Sequence, residues 1–302
     1  MSLVTKLAIQ TSSPEQEITP HWATLQNIQI SVKRDDSLHP IISGNKWRKL
    51  KYALIEACDK NVKHIVSFGG GYSNHLHALG YCCHQLGIHL SAIVRGNYSQ
   101  NLSPMLQDLL SWGVDVQYVD RVTYQQRAEP QYLKSLVTRY PNALLIPEGG
   151  SQQQALKGVA EIIQELAQQY DYILAPVASG GTLAGLVDGL SQTQNTATSQ
   201  LLGIAVLKGQ GYLEKLVEGL LTDRNHRVDW KINHDYQFGG YAKSNGELKQ
   251  FCHEFEQQTQ IEIEPVYSGK LFYALYQLTI NGHFPAGSRV LALHTGGLQG
   301  AR

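Results

Sequence analysis

The sequence predicts an α/β protein built on a mainly parallel β-sheet with helices on both faces. Short β-rich runs alternate along the chain with amphipathic stretches, and several of these runs lead into loops of small residues. The β-rich runs are residues 27–33, 64–68, 88–94, 115–119, 143–147, 171–177, 201–206 and 290–294. The clearest amphipathic stretches, with apolar residues every three or four positions, are residues 74–86, 151–169, 212–222 and 267–281. Ligands of such folds bind beyond the carboxyl ends of the strands, so the loops there are expected to carry the function.

Length and charge limit the kinds of partner. At 302 residues the chain is long enough for two domains or for one large α/β unit. Its 25 basic and 25 acidic side chains cancel, so no overall field attracts nucleic acid or a membrane surface. No signal peptide is predicted, and no apolar run reaches the length of a membrane span. A small neutral or zwitterionic ligand is therefore favoured.

The cysteines and histidines do not predict a metal site. The cysteines lack paired ligand or redox spacing and are expected to be reduced thiols in a cytoplasm: Cys58, Cys82, Cys83 and Cys252. The histidines of one region lack the spacing of a closed tetrahedral set: His75, His77, His84 and His89. We therefore expect no metal and a cytoplasmic location.

One glycine-rich junction follows the run at 64–68. Three glycines, residues 69–71, precede Ser73, Asn74 and His75, which open a predicted helix. Free backbone N–H groups and the positive end of the helix dipole suit a carboxylate or a phosphate. Equally, Ser73 or Asn74 caps the helix while the glycines make the turn. From the residues alone, both interpretations stay open.

A second junction follows the run at 171–177. Here Ser179, Gly180, Gly181 and Thr182 stand at a helix start, where several N–H groups can converge on one phosphate. No Gly-Lys-Ser/Thr follows at the Walker spacing, which disfavours a nucleoside triphosphate. Neither junction has the complete dinucleotide fingerprint, so a nicotinamide-dependent reductase is also disfavoured.

Lys46 is the candidate nucleophile. It lies in the segment SGNKWRKLKYAL (43–54), directly after Gly44 and Asn45, at a predicted boundary between a loop and a helix. The usual position of a lysine such as Lys46 or Lys49 is a solvated helix face. At this boundary, however, Lys46 can point into a cleft, where desolvation lowers its pKa and frees the amine to react.

Six motifs together carry a family resemblance. SGNKWRKLKYAL, GGGYSNHLHALG, PEGGS (147–151), SGGTLAG, EPVYSGK (264–270) and HTGG (294–297) occur in this order. From roughly position 30 to 297, the chain resembles the D-cysteine desulfhydrase and 1-aminocyclopropane-1-carboxylate deaminase family. That family belongs to the tryptophan-synthase-β-like, fold-type-II pyridoxal-phosphate enzymes.

The resemblance implies an architecture of two open, twisted, mostly parallel sheets flanked by helices. It implies a large domain of residues 1–48 and 152–302 and a small domain of residues 49–151, with the cofactor in the cleft between them. It also implies a homodimer that acts on a small amino acid. The balanced charge, in turn, leads us to expect neither nucleic acid nor a membrane as partner.

The resemblance further implies roles for the cofactor-binding residues. Lys46 would hold pyridoxal 5'-phosphate as a Schiff base and also act as a catalytic base. Asn74 would donate a hydrogen bond to the ring hydroxyl, and Thr295 would face the pyridine nitrogen. The loop that would cradle the phosphate comprises Ser179, Gly180, Gly181, Thr182 and Leu183.

For the substrate, the implied carboxylate site consists of Ser73, Asn74 and His75, with Ser73 also counted as catalytic. Tyr267 of EPVYSGK would lie near the ring and the substrate, with Lys46 or Tyr267 handling the Cα proton. Two further predicted substrate contacts are Tyr241 and Ser268. Ordinary aromatic packing is the alternative for both tyrosines.

Two residues distinguish this chain from the deaminase members. Those members carry a glutamate directly after the tyrosine of the PVYEGK-type motif, where this chain has Ser268, and they resemble HLGG where this chain has Thr295. A hydroxyl beside the pyridine nitrogen leaves it less firmly protonated than a carboxylate would, which suits β-elimination. The predicted reaction is conversion of D-cysteine to pyruvate, sulfide and ammonia. The alternatives are deamination of aminocyclopropane carboxylate to 2-oxobutyrate and cofactor binding without turnover.

Overall fold

Helices and strands alternate along most of the chain. The structure is a computed structural model that describes residues 2–193, 199–221 and 227–298. Its strands are β1 (Glu15–Ile18), β2 (Gln29–Lys33), β3 (His64–Gly70), β4 (His89–Arg95), β5 (Asp115–Val119), β6 (Leu144–Ile146), β7 (Tyr172–Val177), β8 (Gln200–Ala205), β9 (Trp230–Asn233) and β10 (Arg289–Leu293). Its helices are α1 (Leu3–Lys6), α2 (His21–Leu25), α3 (Asn45–Asp59), α4 (Asn74–Leu86), α5 (Pro104–Ser111), α6 (Arg121–Gln125), α7 (Pro130–Arg139), α8 (Gln153–Gln164), α9 (Gly181–Ser191), α10 (Tyr212–Leu220), α11 (Gly246–Thr259) and α12 (Ser268–Ile280).

The strands form two sheets within these described residues. One has six strands in the order β1-β2-β10-β7-β8-β9, and the other has four in the order β5-β4-β3-β6. Only the β1–β2 pair of the six-stranded sheet is antiparallel, and the four-stranded sheet is wholly parallel. The predicted α/β class with two mostly parallel sheets is therefore confirmed.

Each predicted β-rich run forms a strand, with ends shifted by a few residues, but β1 and β9 were not predicted. Both are four-residue strands at the two edges of the six-stranded sheet. Each is polar at two or more of its four positions, EQEI in β1 and WKIN in β9, so neither gives an apolar run in the sequence.

Both faces of the six-stranded sheet are covered. On β7, Leu174 packs into the cluster formed with α11 and α12, while Ile173 and Ala175 pack into the cluster formed with α8 and α9. This alternation is the period-two pattern of a strand, and it explains why β7 is apolar throughout. The sheet is therefore a buried platform whose strand ends hold the loops of the site.

Helix α3, which carries Lys46 and Lys49, packs closely against α8. A Cβ added to Gly158 of α8 would lie 2.0 Å from the carbonyl oxygen of Arg48, so only glycine allows this approach. The buried Arg48 guanidinium pairs with Asp35 at 3.0 Å and with Glu165. These contacts set the direction in which the first turn of α3 points.

The domain limits at residues 48/49 and 151/152 stay a prediction. The first of them falls inside α3, so the two domains would share this helix.

Among the described residues, no helix combines the length and apolar character that crossing a membrane requires.

Candidate active site

Two loops from distant parts of the chain meet at the start of α3. Gly44 has φ +69°, and a Cβ there would lie 1.7 Å from the Thr295 carbonyl oxygen, which accepts a hydrogen bond from the Asn45 N–H at 3.2 Å. Gly296 also has φ +69°, and a Cβ there would lie 2.1 Å from Ser43 Oγ. The two glycines therefore allow the HTGG segment to touch the backbone that precedes Lys46.

The Lys46 amine lies in this junction and has a lowered pKa. Its Nζ donates a hydrogen bond to Asn45 Oδ1, and Asn45 Nδ2 donates to Thr182 Oγ1 at 2.7 Å. Burial lowers the pKa of Lys46 to about 8, although the Glu264 carboxylate opposes this shift. Asn45, which the sequence did not single out, therefore links the candidate nucleophile to the loop at 179–183.

Lys49 lies in the site as well, so the solvated helix face expected for it is wrong. It is only 4% exposed, and its Nζ donates to Gly149 O at 3.1 Å, Ser151 Oγ at 3.2 Å and Ser179 Oγ at 3.2 Å. Burial, and then the charge of Lys46, lower its pKa well below the usual range. The sequence spacing of Lys49 could have indicated its place in the site, because a residue three positions after Lys46 lies on the same helix face.

The loop at 179–183 forms the start of α9 and packs against the PEGGS segment. Gly180 has φ +77° and serves as the N-cap of α9. The hydroxyls of Ser179 and Ser151 are 2.7 Å apart, and a Cβ on Gly181 would lie 2.6 Å from Ser151 Oγ. The N-terminus of α9, the hydroxyls of Ser151 and Ser179 and the Lys49 amine thus lie together. This arrangement fits a phosphate group, whose negative charge would favour the protonated amine.

The Ser73–His75 turn opens onto the same region. Ser73 Oγ accepts from the Leu76 N–H at 3.2 Å and so caps α4, as one of the two interpretations expected. The Asn74 side chain lies against the HTGG segment, since a Cβ on Gly297 would be 2.7 Å from Asn74 Nδ2. The start of α4 and the start of α3 are therefore both in contact with the HTGG segment.

His75 carries its proton on one defined nitrogen. Ser67 Oγ donates to the Ile146 carbonyl at 2.7 Å, so it accepts from His75 Nε2 at 2.8 Å. His75 Nδ1 is then a lone-pair acceptor, and it is buried without a hydrogen-bond partner. Burial, with the charges of Lys49 and Lys46, lowers the pKa of His75 to about 3, so the ring is neutral.

This protonation state restricts how His75 can meet a ligand. A lone pair repels a carboxylate, so the backbone N–H of His75, in the first turn of α4, is the group suited to bind one. The buried Nδ1 would instead accept a hydrogen bond from a ligand donor. An unsatisfied acceptor of this kind fits a site whose ligand supplies the missing partner.

Tyr267 and Tyr241 form a pair. Tyr267 OH donates to Tyr241 OH at 3.0 Å, and the rings meet edge to face with centroids 5.8 Å apart. Burial, the neighbouring Tyr241 and the Glu264 charge raise the pKa of Tyr267 well above its usual range. Tyr267 therefore keeps its proton at neutral pH.

Glu264 fixes the backbone at Tyr267, a role that the sequence did not reveal. Its buried carboxylate accepts from the N–H groups of Val266, Tyr267 and Ser268 at 2.6, 2.8 and 2.9 Å. Burial raises its pKa to about 7 even though these bonds oppose the shift. Ser268 is fully buried, and its hydroxyl accepts from the Glu264 N–H at 2.9 Å. The Ser268 hydroxyl thus belongs to the hydrogen-bonded turn of residues 264–268. Its predicted contact with the substrate stays a prediction.

The site combines a reactive amine with a phosphate-type loop on an α/β scaffold, which defines the class of pyridoxal-phosphate enzymes. The chain belongs to the family described as pyridoxal-phosphate dependent enzyme, whose sequence profile matches residues 19–296. The cofactor and the family expected from the motifs are thereby confirmed.

The chain is similar to two enzymes named as D-cysteine desulfhydrases and to one solved structure of an ACC deaminase homologue. The chain is 27% identical to the mitochondrial bifunctional D-cysteine desulfhydrase/1-aminocyclopropane-1-carboxylate deaminase of Arabidopsis thaliana, over 90% of this chain and 73% of that protein. It is also 27% identical to the D-cysteine desulfhydrase of Klebsiella pneumoniae, over 93% of this chain and 90% of that protein. The crystal structure of an ACC deaminase homologue superposes with a TM-score of 0.80 at 26% identity, over 99% of this chain and 95% of that one.

Thr182→Ala is expected to weaken retention of the cofactor about fivefold to tenfold, because it removes the acceptor that holds Asn45 at the phosphate-type loop. The dissociation constant of pyridoxal phosphate, measured by dialysis and absorbance, checks this. Thr182→Ser keeps the hydroxyl and should bind as the wild type does. Equal affinity in all three proteins would contradict the assigned role.

Proposed function

We propose that this enzyme catalyses β-elimination from D-cysteine, consuming one water and giving pyruvate, sulfide and ammonia. The choice of β-elimination rests on the residues next to Tyr267. The next residue is Ser268, whose hydroxyl accepts a hydrogen bond from the Glu264 N–H. The Glu264 carboxylate in turn accepts from three backbone N–H groups. No carboxylate follows Tyr267 in the manner of the deaminase motif, which favours elimination over opening of a cyclopropane.

In this proposal the chain's own residues bind the cofactor and orient the substrate. Lys46 holds pyridoxal phosphate covalently, residues 179–183 and Lys49 bind its phosphate, and the N–H groups at the start of α4 bind the substrate carboxylate. When bound, the cofactor withdraws electrons from the Cα of an amino acid joined to it. Thr295 would face the pyridine nitrogen and Asn74 the ring hydroxyl.

Lys46 is the better candidate for the Cα proton. Its lowered pKa, about 8, makes the released amine a base near neutral pH, whereas the raised pKa of Tyr267 keeps that hydroxyl protonated. Lys46 would therefore take the proton from Cα, while Tyr267 donates a hydrogen bond. Sulfide leaves from Cβ as the C–S bond breaks.

A substrate comparison tests the proposal. Sulfide and pyruvate are measured with D-cysteine, L-cysteine, D-serine and aminocyclopropane carboxylate as separate substrates. Turnover of D-cysteine with release of sulfide and pyruvate is expected. Release of 2-oxobutyrate from aminocyclopropane carboxylate would favour the second candidate, deamination, which the superposition on an ACC deaminase homologue supports. Cofactor binding without product from any substrate would favour a non-catalytic binding protein.

Ser73→Asp is expected to raise KM for the amino acid about tenfold or more, with little change in thermal stability. Aspartate retains an acceptor for the Leu76 N–H but places a negative charge where the substrate carboxylate would bind. Steady-state kinetics and a thermal melt measure the two effects. Ser2→Asp makes the same change at the N-cap of α1 and should leave KM unchanged; an unchanged KM in both variants would refute the carboxylate site.

The assembly and the location are parts of the same proposal. A homodimer accords with the family resemblance of the motifs, and a cytoplasmic location accords with cysteines that lack paired spacing. Light scattering on the purified protein measures the assembly state, and a mass of one chain would refute the dimer.

A further inference from the structure

Lys270, at the end of the EPVYSGK motif, is a buried cation that donates hydrogen bonds to three main-chain carbonyls. It is fully buried, and its Nζ donates to the carbonyls of Val206 at 3.0 Å, Gln237 at 2.9 Å and Gly240 at 2.8 Å. An ammonium has three N–H donors, so these carbonyls satisfy it completely. Lys270 therefore joins α12, the end of β8 and the loop between β9 and α11.

The loop held by Lys270 carries Tyr241 and has an unfavourable backbone. Phe238, Gly239, Gly240 and Ala242 all have positive φ, at 50°, 87°, 122° and 54°. Phenylalanine and alanine are strained in this left-handed region, so the loop needs support from outside to hold its shape. Its own main-chain support includes Gly240 N–H to Gln237 O at 3.0 Å and Lys243 N–H to Gly240 O at 3.1 Å.

Lys270 binds the main chain just before Tyr241. Gly240 directly precedes Tyr241, and the Tyr241 hydroxyl meets the Tyr267 hydroxyl at 3.0 Å. Tyr267 is held in turn by the Glu264 carboxylate through its backbone N–H. The two charged residues of the motif thus act on the two members of the tyrosine pair, Glu264 on Tyr267 and Lys270 on Tyr241.

We propose that Lys270 is a positioning residue that holds Tyr241 against Tyr267 by gathering the carbonyls of Val206, Gln237 and Gly240. The proposal rests on the proposed function only in giving the tyrosine pair a part in turnover. An apolar side chain would fill the same space without desolvating a charge, so packing alone does not account for a lysine here. Three carbonyl acceptors do account for it.

Hydrogen exchange measured by mass spectrometry tests the positioning without any substrate. Lys270→Met should make the amides of residues 234–245 exchange about tenfold faster, while the strands of both sheets keep their protection. Lys33 is the control, because it too is buried and donates to a main-chain carbonyl, Ser13 O at 2.7 Å, in addition to its ion pair with Glu165 at 3.2 Å. Lys33→Met should leave residues 234–245 unchanged. Unchanged exchange in Lys270→Met, or equal loosening in both variants, would overturn the proposal.

A double-mutant cycle tests whether Lys270 acts through Tyr241. Lys270→Met should lower kcat/KM about tenfold in the wild-type background but less than about twofold in a Tyr241→Phe background. Equal losses in the two backgrounds would show an independent, merely structural role and refute the proposal. If Lys270→Met does not fold, Lys270→Gln, which retains two N–H donors, carries both comparisons. A wild type without eliminase activity would overturn the proposed function, while the exchange experiment still decides the positioning.

Discussion

Lys46→Ala is expected to abolish the visible absorption of the lysine-bound cofactor and to lower turnover by roughly 10³-fold or more. Lys46 is assigned two tasks, covalent attachment of the cofactor and removal of the Cα proton, and alanine can perform neither. The lowered pKa of its amine, about 8, is what makes both tasks feasible near neutral pH. An absorption spectrum of the purified variant, beside a sulfide assay, measures the two losses.

Lys49 provides the matched control, since it is the other buried amine of the same helix face. Lys49→Met should keep the visible absorption at saturating cofactor, but it should bind the cofactor more weakly, because the lost amine contacts Ser179 and Ser151. The two variants thus separate attachment from phosphate binding. A Lys46→Ala protein that stays coloured and active would refute the assignment.

Gly44→Ala is expected to lower the free energy of unfolding by about 3 kcal/mol and to reduce affinity for the cofactor. The added Cβ would lie 1.7 Å from the Thr295 carbonyl oxygen, at a backbone φ of +69° that alanine adopts with strain. The HTGG segment must move away, which takes Thr295 from its place beside the Lys46 loop. Chemical denaturation and cofactor titration measure the two effects.

Gly87 separates backbone strain from collision. It has a similar φ of +64°, but a Cβ there would meet no atom within 4 Å. Gly87→Ala should therefore cost only the strain, about 1 kcal/mol, and leave cofactor affinity unchanged. If both alanine variants behaved alike, close contact between the two loops would not be what Gly44 provides.

Local sequence signals were sufficient for most of the scaffold. Strand β7 and the start of α9 were predictable because an apolar run leads directly into small residues and a helix. Lys46 was a candidate because Gly44 and Asn45 beside it mark a loop that turns into a helix. The edge strands β1 and β9 were missed because their sequences, EQEI and WKIN, are half polar or more, whereas the edge strands β5 and β6 lie in more apolar runs.

The missing parts of the site depend on contacts between residues far apart in the chain. Lys49 was expected in solvent, but its amine contacts Gly149 and Ser179, which lie 100 and 130 residues away in the chain. The tautomer of His75 depends on Ser67 and on the Ile146 carbonyl, which lies on the neighbouring strand. Lys270 is matched by carbonyls that precede it by 64, 33 and 30 residues. Apart from the three-residue spacing between Lys46 and Lys49, no local pattern in the sequence indicates these contacts.

One measurement decides which lysine of α3 holds the cofactor, because Lys46 and Lys49 lie on the same face of that helix. Reduction of the cofactor-loaded protein with borohydride fixes the cofactor on the lysine that holds it, and peptide mass mapping then identifies that lysine. The phosphopyridoxyl group is expected on Lys46, with Lys49 unmodified. A label on Lys49, or no label on any lysine, would contradict the assignment of Lys46 as the residue that holds the cofactor.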